Sequence, residues 1–170
     1  MRIAGITGLA LALLTARAFA ADTWSTFTDP SGTFRLEVPQ EPVVISRTRP
    51  APNGGQAKGE AYMVSRGSSG MLVKVDDYVG PPADPAVLLQ RGIDGLQLHG
   101  RKLVSDAPIT VDGHVGRDVA LVTATGATMT DRLFVIDNRI YQVLTTVAAG
   151  AQKDQIDMVT RYSGSLHFLK

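Results

Sequence analysis

The sequence predicts an α+β fold: an antiparallel sheet of about six or seven strands, flanked by two helices in an α/β/α-type sandwich. Three observations carry this. Short runs that are apolar or alternate in polarity recur between Gly-, Pro-, Asn- and Asp-rich turn signals. Four such runs follow one another in the second half of the chain, at 103–111, 115–123, 128–136 and 139–147, as in a meander. Two further segments, after Asp84 and after Gln152, repeat apolar residues at helical spacing.

Residues 1–20 stand apart from the fold. Arg2 supplies a positive start, 3–14 an apolar stretch and Ala18-Phe19-Ala20 a small-residue cleavage signal. This is the pattern of a secretory signal peptide removed after Ala20. The apolar stretch falls short of the ~20 residues that span a bilayer, so no stable membrane anchor is expected after cleavage. Residues 21–170 then form a single domain, periplasmic or secreted. There is no cysteine, so no disulfide framework supports it. Without Arg2 and Arg17 the basic count drops from 17 to 15 against 16 acids, a net charge of −1. That balance offers no electrostatic reason to expect nucleic acid.

The mature chain opens with a strand at 24–28. Asp29-Pro30-Ser31-Gly32 turns it into Phe34-Arg35-Leu36-Glu37-Val38, where apolar and charged residues alternate. Residues 43–48 form another short strand, and 49–59 (RPAPNGGQAKG) read as an exposed loop, since no large apolar side chain interrupts the prolines and glycines. Residues 60–65 and 71–78 pair across Arg66-Gly67-Ser68-Ser69-Gly70. In the second, Met71, Val73 and Val75 share one face and Lys74 and Asp76 the other. Asp84 caps a helix that starts on Pro85 and carries Ala86, Leu89, Ile93 and Leu96 on its apolar side. Gly92 and Gly95 weaken it, so packing must support it.

In the second half, Asp112-Gly113, Thr125-Gly126 and Asp137-Asn138 mark the turns. Residues 119–122, 133–136 and 141–144 are apolar at nearly every position, as expected of strands covered on both faces. Leu121, Phe134, Ile136, Tyr141 and Val143 are the predicted core. A last helix spans about 152–162, with Ile156, Val159 and Tyr162 on one side, and SLHFLK closes the chain as an apolar tail.

Chemistry is harder to find. His99, His114 and His167 lack metal-ligand spacing, so no metal site or cofactor is expected. Asp76-Asp77 read as solvated carboxylates at a strand end. DGHVGRD, with Asp112, His114 and Asp118, is what a polar hairpin tip looks like, and RGSSG lacks the spacing of a nucleophile elbow. No catalytic residue is assigned. Arg47, Arg49 and Lys58, around the proline-glycine loop, are the candidate binding residues.

The chain resembles the PsbP-like superfamily. The likeness rests on WSTFTDPSGTFRLEVPQEP (Trp24, Phe27, Gly32, Phe34, Pro39), on the central helix, on DRLFVIDNRIYQVLTTV (Arg132, Tyr141), and on the closing helix with its short apolar segment. It implies an antiparallel sheet with helices on both faces and a role in binding or assembly. It implies no catalytic set, and a photosystem role does not transfer. The expectation is therefore a non-catalytic accessory or binding protein whose partner is an unknown protein or a small apolar ligand. The rival readings are a small hydrolase-like enzyme using His114, Asp118 and Asp131, and a carrier holding an apolar ligand between sheet and helix.

Overall fold

The computed structural model describes residues 23–50, 55–79 and 84–169. The expected signal peptide lies outside the described residues.

Among the described residues, ten strands and two helices run in the order β1 (Ser25–Thr28), β2 (Phe34–Val38), β3 (Val43–Pro50), β4 (Gln56–Arg66), β5 (Ser69–Val79), α1 (Pro85–Leu96), β6 (Lys102–Val111), β7 (His114–Val122), β8 (Thr128–Ile136), β9 (Arg139–Val147), α2 (Lys153–Gly164) and β10 (His167–Phe168). Seven of the strands form one antiparallel sheet in the order β3-β4-β5-β9-β8-β7-β6. The other three form a small sheet, β1-β2-β10.

The hairpin geometry follows from turn chemistry. Asp112 and Gly113 have φ of 48° and 85°, and Asp137 and Asn138 have 48° and 64°. Two successive positive φ values make the turn whose twist matches paired strands, and Asp, Asn and Gly tolerate it best. Asp29 organises the first turn. Its buried carboxylate accepts the backbone N–H groups of Ser31 (3.1 Å), Thr33 (2.6 Å) and Phe34 (2.8 Å). Burial opposes ionisation, but the Phe34 and Thr33 N–H groups and the Ser31 and Thr33 hydroxyls outweigh it and hold the Asp29 pKa below its usual value.

Alternation along β8 and β9 divides the core in two. Phe134, Tyr141 and Val143 pack on one face with Tyr62, Val73, Val159 and Tyr162, together with Phe34, Leu36 and Phe168 of the small sheet. Leu133 faces the opposite way, meeting Ile93 and Leu96 of α1. Leu88 joins Ala57, Tyr78 and Ile140 on that same side. The layers are thus α1, the seven-stranded sheet, then α2 with the small sheet. Both faces of the central strands are covered, which is why their sequences are apolar throughout.

Each helix is pinned to its face. Asp84 caps α1 by accepting the Ala86 N–H at 2.8 Å. Gly92 permits the close approach of α1, because a Cβ there would lie 2.6 Å from Leu133 Cδ2. On the other side Arg132 donates to the Ser163 carbonyl at 2.7 Å, and Arg161 pairs with Glu37 at 2.6 Å while lying 4.3 Å from the Trp24 ring centre.

Four sequence expectations change. The segment 49–59 is not one loop: β3 and β4 pair through Arg49↔Ala57 to Pro50↔Gln56, so Arg49 and Lys58 lie on strands. The first two strands and the tail form a second, three-stranded sheet, where the sequence predicts a single sheet. The apolar side of α1 keeps Leu89, Ile93 and Leu96 and gains Leu88, with Ala86 exposed, and α2 keeps Val159 and Tyr162 and gains Met158, while Ile156 is exposed. Of the predicted core, Leu121, Phe134, Tyr141 and Val143 are buried and Ile136 partly so.

Candidate functional site

A row of polar side chains crosses the α1 face of the main sheet, against the apolar logic of a covered layer. Asp76, on β5, is 1% exposed. Its Oδ2 accepts from Arg49 Nη2 of the edge strand at 2.8 Å and lies 2.5 Å from Lys74 Nζ. Lys74 also donates to Gln142 Oε1 of β9 at 3.1 Å, and Gln142 Nε2 donates to Asp131 Oδ2 of β8 at 2.9 Å. Arg49, Asp76, Lys74, Gln142 and Asp131 therefore form one connected line whose side chains come from four strands, β3, β5, β9 and β8. A buried charge is costly unless paired, and this line supplies the pairing.

The line is built by strand period. Lys74 sits opposite Gln142 in the β5–β9 ladder, and Asp76 opposite Gly59 in β4–β5. Gly59 is required by close approach: a Cβ there would lie 2.7 Å from Asp76 Oδ1. The far end of the line is the least solvated. Asp131 is 0% exposed, and burial pushes its pKa up to about 7, with Gln142 and Lys74 working against that shift and Asp118 adding to it. Its Oδ1 and that of Asp76 lack a hydrogen-bond partner among the described residues.

Over this line lies a cleft of about 580 Å³ between α1 and the strands. Arg47, Arg49, Lys74 and Arg91 contribute four cations to its lining, against the single anion Asp76. Leu88, Leu96, Ile140 and Leu144 supply apolar surface, and Gly95 leaves the helix wall bare. Its volume falls in the range of small-molecule sites, which combine apolar walls with a few convergent polar groups. Arg49 and Lys74 are engaged with Asp76, whereas Arg47 and Arg91 are exposed and form no ion pair among the described residues.

The structure brings two of the three candidate binding residues to this cleft. Arg47 and Arg49 share a face of β3, and both line it. Lys58 pairs with Thr48, one position out of phase, and points to the other side of the sheet with Tyr62 and Val64. Asp76 is a buried ion-pair partner and not a solvated strand-end carboxylate. Asp77 does remain half-exposed, paired to Arg139 at 3.1 Å.

The His114, Asp118 and Asp131 set is not assembled. Asp118 pairs with Arg132 on the α2 face, whereas Asp131 pairs with Val119 on the α1 face. The His114 ring packs edge-on against Phe168, 5.2 Å between centres. His167 lies 3.3 Å from Asp112, on the exposed surface. Among the described residues no cluster of three His, Asp or Glu side chains could hold a metal ion, and no helix is long and apolar enough to cross a membrane.

Sequence reading missed Arg91, Gln142 and the buried role of Asp131. The legible signals were the alternation that sets Lys74 and Asp76 on one face, and the Gly92/Gly95 pair on a helix. Nothing local showed that α1 would cover that face.

No family model and no curated protein matches the sequence. Among solved structures, the chain is similar to cyanobacterial PsbP (CyanoP) from Synechocystis sp. PCC 6803, known from a solution structure, with a TM-score of 0.58 at 9% identity over 92% of this chain and 98% of that one. A crystal structure of a protein of unknown function, PA94, from Pseudomonas aeruginosa overlaps 74% of this chain and 83% of its own at 15% identity, and its TM-score of 0.39 carries no weight. The fold is PsbP-like, as the resemblance implied. At 9% identity the likeness concerns the fold alone.

Proposed function

We propose that this chain is a non-catalytic accessory protein of an exported compartment, periplasmic or secreted, which acts by binding a partner in the cation-lined cleft under α1. One observation carries the reading: four basic side chains converge on a cleft of about 580 Å³ whose buried acid is already paired. Such a cleft can hold and orient a negatively charged group. Its lining holds no serine, threonine, cysteine or histidine to form a hydrolase-type nucleophile–base pair, and Lys74 is held as the ion-pair partner of Asp76. The hydrolase reading is disfavoured because the sheet register sets Asp131 on the face opposite Asp118. The apolar-carrier reading keeps the place, between sheet and helix, but the chemistry of the lining favours a charged occupant.

The test uses tagged protein recovered from its native exported fraction. Its N-terminus, by mass spectrometry, is expected at Ala21. Wild type is expected to retain a partner that the double variant Arg47→Glu/Arg91→Glu loses at least tenfold, with an unchanged thermal midpoint, because both arginines are exposed and outside the Asp76 pair. Equal retention by the variant would move the working surface elsewhere. Turnover of a defined substrate that disappears on replacing His114 would overturn the non-catalytic reading.

A further inference from the structure

We infer that the cleft takes a small organic anion, an acidic head group on an apolar body. The inference rests on the reading of the cleft as the working site and specifies its occupant. The lining carries four cations and one anion, an excess of three positive charges on a chain whose mature net charge is −1. That excess is local and is not a by-product of composition. Asp76 Oδ2 already serves both Arg49 and Lys74, which leaves the exposed Arg47 and Arg91, one on the strand wall and one on the helix wall.

A guanidinium presents its donors as a rigid planar fork that fits the two oxygens of a carboxylate or phosphate. An acidic head entering between the two walls would meet both forks. The same lining holds the buried Leu88, Leu96 and Ile140 together with Leu144, which have no use for an inorganic anion but would cover an alkyl or aryl body. Gly95 keeps room for it: a Cβ there meets no atom within 4 Å, whereas its neighbour one turn back, Gly92, is filled by Leu133. A glycine inside a helix is destabilising relative to alanine, and only the Gly92 position needs one for packing. Gly95 is explained by the space it leaves open.

The experiment is calorimetric titration of the purified mature protein with octanoate, octyl phosphate, 1-octanol, octylamine and inorganic phosphate. Octanoate and octyl phosphate are expected to bind at least tenfold more tightly than the neutral and cationic chains, and inorganic phosphate not to bind measurably. Arg47→Glu/Arg91→Glu is expected to abolish that preference by removing the head-group contacts. Gly95→Leu, which changes no charge and meets no steric conflict at Cβ, is expected to weaken octanoate binding at least tenfold with the fold intact. Equal binding of octanoate and octanol, octanoate binding unaltered in both variants, or no binding by either anion overturns the inference. If the anions fail while partner retention still depends on Arg47 and Arg91, the cleft is the working site and its occupant is of another class. If both fail, the functional reading falls with the inference.

Discussion

Replacing Phe134 by alanine is expected to cost about 3–5 kcal/mol, the usual range for a fully buried phenylalanine. The ring is 0% exposed at the centre of the α2-face core. It packs edge-on against Phe168 of the tail strand, 5.0 Å between centres at 73°, and Phe168 in turn meets Tyr141 at 5.3 Å. The site is shaped for it: a Cβ on Gly116, the residue opposite in β7, would lie 2.5 Å from Phe134 Cδ1. Truncation therefore opens a void between the main sheet and the β1-β2-β10 sheet. Denaturant unfolding measures the loss. A cost below about 0.5 kcal/mol, typical of surface sites, would mean that the two sheets do not share this core.

Asp131→Asn is expected to stabilise the protein increasingly as pH rises. In the folded chain burial pushes this carboxyl up to about 7, whereas its ordinary value is 3.8. The folded state then holds a proton that the unfolded state releases between these values. Its contribution is fully present below about pH 4, is lost as pH rises toward 7, and is absent above. The shift corresponds to a loss on the order of 4 kcal/mol between the two limits. Asparagine removes the titration and keeps an acceptor for Gln142. The difference in unfolding free energy between variant and wild type should grow from pH 4 to pH 8. A difference that stays constant across that range would show that the buried carboxyl does not titrate there.

How much of this was visible in the sequence depends on whether the relevant partner lies nearby in the chain. The β6–β9 meander was legible because Asp112-Gly113 and Asp137-Asn138 state their turn geometry locally, and because the strands between them are apolar on both faces. The β3–β4 hairpin was not. Pro50, Pro52 and the Asn53-Gly54-Gly55 run read as a loop from end to end, yet the ladder extends to Pro50↔Gln56. An edge strand accommodates that proline, and Gly59 is in the ladder because Asp76 fills the space of its missing side chain. In α2, Gln155, not Ile156, lies on the side of Met158, Val159 and Tyr162, a phase error of one residue. The candidate site was half legible. Arg47 and Arg49 were singled out, with Lys58, as cations flanking a proline-glycine loop. Their relation to Asp76, Lys74 and Gln142 arises only when β9 inserts beside β5 and α1 closes over that face.

The claim that this protein works through the α1 cleft is tested most directly by filling it. Gly95→Leu places an isobutyl group on the cleft wall at a position where a Cβ meets nothing within 4 Å, and it replaces a poor helix residue by a good one. The measurement is retention of the native partner by this variant relative to wild type, alongside its thermal midpoint. The account predicts retention lowered at least tenfold with a midpoint equal to or above that of wild type. Full retention by a variant whose midpoint is unchanged would contradict it.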